Sequence, residues 1–114
     1  GTFPDEAQAA LWYRRAAEQN DPRGMYALGR CLETGRGVPR DLAAARSWYA
    51  RAAEAGDSEA CYKMGEFAEK GIGGEPRSRA QALAFYTKAA EAGSAEAKAA
   101  LQRLNRTGLF FKHT

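Results

Sequence analysis

The chain repeats one short pattern three times at a nearly constant interval. An aromatic pair followed, after two further residues, by Ala-Ala-Glu occupies residues 12–18, 48–54 and 85–91. The first two copies are 36 residues apart and the last two are 37 apart. An internal period of about 20–50 residues is typical of solenoids, in which supersecondary units stack on one another. The repeat therefore constrains the architecture strongly and the chemistry hardly at all.

Each copy has the apolar spacing of an amphipathic helix, with one buried stripe at intervals of three and four residues. Asp5, Asp41 and Ser78 precede these helices, and short polar residues in that place are good N-caps. Asp21 and Asp57 precede a second set of helices that alternates with the first. The sequence therefore predicts an all-α fold, an α-α superhelix (solenoid) of antiparallel helix pairs.

Glycines mark the ends and the contacts of the second set of helices. Gly35 lies where a left-handed C-terminal cap is expected, because glycine lacks a Cβ. Gly29 and Gly65 occupy matching positions inside helices, where glycine costs about 1 kcal/mol. We therefore expect another helix to approach closely at both. The one extra residue of the second interval falls in the loop 71–77, where an insertion is tolerated.

The predicted array covers residues 1–108 and is followed by a C-terminal tail, 109–114. It divides into a half repeat, two full repeats and a degenerate capping helix: 1–20, 21–56, 57–93 and 94–108. The half repeat is interpreted as cut from a longer array, with a bare cap as the alternative. Gln102 replaces the helix-contact glycine, which is typical of a terminal cap. The apolar tail is expected to fold back on the last pair, or to anchor another chain.

The residues resemble the Sel1-like repeat family, which is similar to the tetratricopeptide fold. The motifs that carry the resemblance are Leu28-Gly29, Gly35-Arg36-Gly37-Val38, Asp41, Trp48-Tyr49 and the run from Arg51 to Gly56, and their counterparts Met64-Gly65, Gly71-Ile72-Gly73, Phe85-Tyr86 and the run from Lys88 to Gly93. Gly24 and Leu32 depart from the family pattern. The resemblance implies a right-handed superhelix that acts as an adaptor.

No catalytic constellation is recognised in the sequence. The single histidine, His113, lies on the tail, and no carboxylate pair recurs. The loop Gly71–Gly74 lacks both the preceding strand and the Gly-Lys-Ser/Thr of a phosphate site. We therefore predict a protein that is not an enzyme, with no catalytic, cofactor-binding or metal-binding residues. Cys31 and Cys61 are interpreted as small core residues, and a bridge between them is left open.

Charge and hydropathy exclude two classes of partner. The 17 basic and 14 acidic residues are mixed along the chain, so we predict no nucleic-acid partner. No apolar run approaches the roughly 20 residues of a membrane span, so we predict no membrane insertion. The sequence does not name a compartment.

The candidate binding surface is the face of the second-set helices that points away from their packing stripe. The helical spacing predicts that two tyrosines from successive units lie along the concave side with charged residues beside them. The predicted partner-binding residues are Arg23, Tyr26, Arg30, Tyr62, Glu66 and Arg103. The alternative is that both tyrosines simply pack between helices. Trp12, Trp48 and Phe85 are predicted to be core aromatics.

The leading functional interpretation is a protein- or peptide-binding adaptor or scaffold that uses this concave face. The alternative is a regulatory or targeting segment of a larger multidomain enzyme whose catalytic part lies outside this chain. A third hypothesis is self-association through the N-terminal half repeat, because its helix should expose an apolar face.

Overall fold

The described residues of the protein form a row of six helices. The computed structural model describes residues 5–112, and for 107–112 the backbone alone. The helices are α1 (Glu6–Glu18), α2 (Pro22–Thr34), α3 (Leu42–Glu54), α4 (Ser58–Lys70), α5 (Arg79–Glu91) and α6 (Ala95–Lys112). The described part contains no strand and measures 59 × 24 × 23 Å, and each helix packs mainly on its neighbours in sequence. The predicted all-α solenoid of antiparallel helix pairs is confirmed.

Side-chain caps set the start of most helices. Five side chains accept a hydrogen bond from a backbone N–H of the first turn: Asp21, Asp41, Asp57, Ser78 and Ser94. Asp5 was predicted to do the same for α1, and that prediction is wrong. Its φ of 117° is left-handed, and its side chain makes no capping hydrogen bond. The first turn of α1 therefore lacks the stabilisation that a cap supplies.

Left-handed glycines end α2 and α4, and the left-handed cap predicted at Gly35 is confirmed. Gly35 and Gly71 have φ values of 78° and 71°, and their N–H groups donate to the carbonyls of Cys31 and Phe67. These bonds satisfy carbonyls that the helix itself leaves unpaired. α1 to α5 are all 13 residues long, so the extra residue in the loop 71–77 leaves the helices in phase.

A tyrosine packed on a glycine forms the centre of each full hairpin. A Cβ on Gly29 would lie 2.6 Å from the Tyr49 ring, and one on Gly65 would lie 2.5 Å from the Tyr86 ring. The close approach predicted at both glycines is confirmed. Tyr49 and Tyr86 are 0% and 1% exposed, and they are among the largest fully buried side chains of the described residues.

The prediction that Trp12, Trp48 and Phe85 are core aromatics is wrong for Trp12 and holds in part for Trp48 and Phe85, which pack against the core from its edge. Trp48 and Phe85 are half-buried, and Trp12 is 65% exposed. Adjacent helix residues point about 100° apart, so only one member of each aromatic pair can face the glycine. Tyr49 and Tyr86 have that place, and the preceding aromatic lies beside the contact.

α6 is longer than the sequence suggested. It runs through Gly108 to Lys112, so the backbone of residues 109–112 continues the helix instead of leaving it as a separate tail. The direction of the Leu-Phe-Phe side chains, and with it the question of folding back or anchoring, lies outside the described residues. Cys31 and Cys61 are buried as free thiols, and burial raises the pKa of both.

We expect Gly65→Ala to lower the free energy of unfolding by about 1–3 kcal/mol. Alanine would favour a free helix by about 1 kcal/mol, but here its Cβ would collide with the Tyr86 ring. Urea denaturation followed by circular dichroism measures the change.

The control is a double-mutant cycle. Gly65→Ala combined with Tyr86→Leu should cost less than the sum of the two single changes, because the smaller side chain relieves the collision. Additive costs, or a stabilised Gly65→Ala variant, would show that the ring and glycine do not depend on each other.

Candidate functional site

A cavity of about 290 Å³ lies where α2, α4 and the start of α6 meet, and we call it the central groove. Its lining residues are Tyr26, Arg30, Glu59, Tyr62, Lys63, Ser94 and Glu96. Three of the residues predicted to bind a partner are therefore brought together around one space: Tyr26, Arg30 and Tyr62.

The two tyrosines of the groove stack on the tyrosines of the hairpin cores. Tyr26 lies 5.8 Å from Tyr49 and Tyr62 lies 5.6 Å from Tyr86, measured between tilted ring centroids. Tyr26 is 8% exposed, so its predicted exposure is wrong, whereas Tyr62 is half-buried. Burial raises the pKa of Tyr62, and nearby carboxylates add to the shift. Tyr62 is thus the more accessible ring of the pair.

Arg30 is the exposed cation of the groove. Its Nη1 donates to the hydroxyl of Tyr26 at 3.4 Å, and this hydrogen bond is the main cause of its raised pKa. Arg30 also lines a second cavity, described below.

Arg23 joins α2 to the start of α4. Its Nη1 lies 2.8 Å from both Asp57 Oδ2 and Glu59 Oε1, and its guanidinium lies 5.0 Å from the centre of the Tyr26 ring. The Asp57 side chain is 2% exposed, and its other oxygen caps α4. Both carboxylate oxygens of the buried Asp57 side chain therefore accept a hydrogen bond, which offsets the cost of burying the charge. The hydrogen bond to Asp57 also raises the pKa of Arg23.

Glu69 links a hairpin core to the next unit. It accepts hydrogen bonds from the Tyr86 hydroxyl at 2.8 Å and from two Arg103 nitrogens at 2.5 and 2.9 Å. The Arg103 guanidinium is the main reason that the pKa of Glu69 falls to about 2. A bidentate arginine–carboxylate pair is among the stronger surface interactions, so α4 and α6 are held at a fixed separation.

Glu33 has the same place one unit earlier. It accepts a hydrogen bond from the Tyr49 hydroxyl at 2.7 Å, and its Oε1 lies 3.2 Å from Lys63 Nζ. Glu66 pairs with Lys63 at 3.4 Å and with Lys70 at 3.5 Å. The nearby carboxylates raise the pKa of Lys63, although burial opposes that shift. Lys63 of α4 therefore pairs with the glutamate of α2 that binds a core tyrosine, just as Arg103 of α6 pairs with the equivalent glutamate of α4.

The predicted surface is only partly one site. Glu66 and Arg103 do not line the central groove, and their charges are engaged in ion pairs beside it. Lys63 and Ser94 line the groove and were not predicted. Lys63 aligns with Ala27 in the preceding unit, so the repeat pattern gave no signal for it. Ser94 was not predicted because its position before α6 indicates a helix cap, and it does accept the capping hydrogen bond from the Ala97 N–H.

A second cavity, of about 340 Å³, lies between α1 and α2, and we call it the end cavity. It is lined by Glu6, Ala9, Tyr13, Arg23, Tyr26, Ala27, Arg30, Cys31, Thr34 and Arg36. Leu11, Trp12 and Tyr13 on α1 are 49%, 65% and 39% exposed. The apolar exposure expected of α1 is therefore present, while association between copies stays a prediction.

Metal-binding clusters and membrane-spanning helices are both absent from the described residues. Among them, no group of His, Cys, Asp or Glu side chains is arranged to hold a metal ion. None of the described helices has the length and apolar character that crossing a bilayer requires. His113 lies outside this range.

We expect Glu69→Gln to cost about 1–2 kcal/mol of unfolding free energy at pH 7 and less as the pH falls. The pKa of Glu69 is lowered from 4.5 to about 2, so the unfolded chain binds this proton more readily than the folded one. The ion pair therefore stabilises the fold above about pH 4.5, and its contribution is lost on acidification towards pH 2.

Urea denaturation at a series of pH values tests this dependence. Glu54→Gln is the matched control, because Glu54 is exposed and no hydrogen bond or ion pair of the described residues involves it. A Glu69→Gln cost that does not change between pH 7 and pH 3 would contradict the assignment.

Comparison with known proteins identifies the repeat. The Sel1 repeat model matches residues 1–21, 22–57 and 58–94. A Sel1 repeat protein from Oxalobacter formigenes superposes with a TM-score of 0.83 at 35% identity, over 88% of this chain and 29% of that one. A protective antigen of uropathogenic Escherichia coli with an SLR fold gives 0.79 at 35% identity, over 82% and 20%.

Cysteine rich protein B (hcpB) of Helicobacter pylori gives 0.79 at 28% identity, over 85% of this chain and 72% of that one. The chain thus spans less than a third of the first two structures. Compared with curated protein sequences, it has no significant match. The three matched repeats and the shared helical solenoid show that the chain belongs to the Sel1 repeat family, whose members are generally protein-interaction modules of a typically non-catalytic fold.

Proposed function

We propose that this chain is a non-enzymatic adaptor or scaffold module that binds a protein or peptide segment in the central groove. The observation that carries the proposal is the composition of that groove. The half-buried ring of Tyr62 lies there beside cations and carboxylates from α2, α4 and the start of α6. Tyrosine and arginine are the side chains that most often anchor protein interfaces.

The charges of the groove suggest the kind of segment that it accepts. Arg30 and Lys63 supply positive charge, and Glu59 and Glu96 supply negative charge. A peptide with an apolar or aromatic side chain over Tyr62, and with charges of both signs on its flanks, would satisfy these groups. These charged groups would contribute mainly to the specificity and association rate of binding, while the Tyr62 ring would supply contact area.

The remaining predicted residues are proposed as flanking contacts. Arg23 and Arg103 keep side chains that are 62% and 56% exposed, although each is already paired with a carboxylate. Glu66 lies between two lysines. A partner could add hydrogen bonds to these groups without breaking the ion pairs that hold α2, α4 and α6 in place.

We propose that the chain does no chemistry of its own. Its cysteines are buried with raised pKa values, which disfavours the reactive thiolate. The carboxylates beside the groove accept hydrogen bonds from tyrosines or pair with cations. These arrangements support structural roles for the ionisable groups.

Selection of a phage-displayed library of linear peptides against the immobilised chain tests the proposal. Selected peptides are expected to bind at least about tenfold more weakly to Tyr62→Ala and to Arg30→Glu, which remove the ring and reverse the groove's exposed charge. Isothermal titration calorimetry measures the affinities, and circular dichroism confirms that the variants are folded.

Arg51→Glu is the matched control. Arg51 is an exposed arginine like Arg30, and its guanidinium lies 4.5 Å from the centre of the Trp48 ring, but it lines neither cavity. Its reversal should leave the affinities unchanged. Failure to select any peptide, or equal binding by all four proteins, would reject the central groove as the binding site.

A further inference from the structure

The charged residues that line the central groove differ in whether they already have a counter-charge. Lys63 Nζ lies 3.2 Å from Glu33 and 3.4 Å from Glu66, and its side chain is 21% exposed. Glu59 lies 2.8 Å from the guanidinium of Arg23. A partner that bound Lys63 or Glu59 would compete with an ion pair that joins α2 to α4. These two groups are therefore poorly suited to recognition.

Arg30 and Glu96 are the other two charged residues of the groove, and both are exposed. In the part of the chain that the structure describes, no ion pair includes either of them. The Arg30 guanidinium donates to the neutral hydroxyl of Tyr26 at 3.4 Å, which is long for a hydrogen bond. A partner can therefore pair with both charges without breaking an ion pair of the fold.

The repeat explains why Glu96 has no cation beside it. Arg23, Glu59 and Glu96 occupy the same position of three successive units, at intervals of 36 and 37 residues. The first two have opposite charges and pair with each other. Glu59 and Glu96 have the same charge and line one groove, so they repel each other instead of pairing. A positive group bound beside Glu96 would offset that repulsion.

The row of tyrosines along the groove ends in the same unit. Tyr26 and Tyr62 align with Ala99 of α6, which is exposed. Tyr26 is 8% exposed, whereas Tyr62, followed in this row by the alanine, is half-buried. Burial is the main cause of the raised pKa of Tyr62, and the charges of Glu66 and Glu96 add to it. The accessible ring of Tyr62 therefore lies within the influence of the Glu96 carboxylate.

We propose that the central groove selects a dipolar segment of a partner protein. An acidic side chain of the segment pairs with Arg30, an apolar or aromatic side chain lies on Tyr62, and a basic side chain pairs with Glu96. α4 is ion-paired to α2 and also to α6, so these three contacts follow one another along the row of helices. The inference rests on the proposed function, because it names the kind of segment that the same groove binds.

The same residues disfavour segments that carry charges of a single sign. A wholly acidic segment that pairs with Arg30 also brings negative charge to Glu59 and Glu96, and a wholly basic segment meets Arg30. Like charges that face each other across an interface suppress binding of the wrong partner. Selection by the groove therefore depends on the order of the charges as well as on the side chain that contacts Tyr62.

The experiment selects the phage-displayed library of linear peptides against three immobilised proteins: the unchanged chain, Arg30→Glu and Glu96→Lys. Peptides from the unchanged chain are expected to carry one acidic and one basic residue on opposite sides of an apolar or aromatic residue. Arg30→Glu should select a basic residue on both sides, and Glu96→Lys should select an acidic residue on both sides. Circular dichroism checks that the variants are folded.

Isothermal titration calorimetry with synthetic peptides then assigns each charge to its end of the groove. A peptide selected by the unchanged chain should bind at least about tenfold more weakly to Arg30→Glu and at least about fivefold more weakly to Glu96→Lys. Replacing its acidic residue by lysine should restore the affinity for Arg30→Glu to within about threefold, and should not do so for Glu96→Lys. Replacing its basic residue by glutamate should restore binding to Glu96→Lys alone.

Arg51→Glu and Glu91→Lys are the matched controls. They make the same two charge reversals at exposed positions that line neither cavity. Each should change the affinities by less than about twofold.

The outcomes separate this inference from the proposed function. Peptides that need Tyr62 but show the same charges in all three selections, or a compensating peptide charge that restores binding at the wrong end or at neither, would overturn the dipolar segment and leave the groove as a binding site. If no peptide is selected, or if the selected peptides bind Tyr62→Ala as well as the unchanged chain and ignore both charge reversals, the proposed function is rejected and this inference with it.

Discussion

The structure depends on one contact that occurs in each full hairpin, a tyrosine ring laid on a helical glycine. A hydrogen atom in place of a side chain lets the ring lie directly on the facing backbone, and the hydroxyl at the far end of the ring then reaches a glutamate of the same helix. This contact sets both the distance between the helices and their rotation. It also leaves the glutamate's second oxygen facing the next unit, where Lys63 or Arg103 binds it. One glutamate, Glu33 or Glu69, therefore binds both the tyrosine of its own hairpin and a cation of the next unit.

Much of this arrangement was predictable because the sequence is periodic. The period fixed the number and type of elements, and the matched glycines Gly29 and Gly65 revealed the close helix contact. Most N-caps and the left-handed C-cap at Gly35 also followed from single residues, because each satisfies backbone groups that a helix end leaves unpaired. Such features depend on local backbone geometry, which recurs at matching positions of a repeated sequence and can therefore be predicted from it.

The errors have a common physical origin in side-chain direction. Periodicity identifies an aromatic pair but does not say which ring faces the glycine, so Trp48 was assigned the buried position that Tyr49 has. Likewise Tyr26 was expected on the surface because it shares a helix face with Arg30, yet its ring turns inward onto Tyr49. Lys63 was missed because its counterpart in the preceding unit is an alanine. Long-range pairs of flexible side chains leave little trace in a single sequence.

The two kinds of contact differ in how they respond to the medium. Within each full hairpin the helices are joined by buried ring packing and a tyrosine hydroxyl. Charged pairs join α2 to α4 and α4 to α6: Arg23–Glu59 and Arg103–Glu69 have exposed members, and Glu33–Lys63 is half-buried. Dissolved salt screens exposed pairs and leaves buried apolar packing nearly unaffected. Exposed pairs such as Arg23–Glu59 are therefore the part of the stacking between hairpins that salt weakens, whereas the edge-on contact of Tyr49 with Phe67, between α3 and α4, is buried and does not depend on ionic strength.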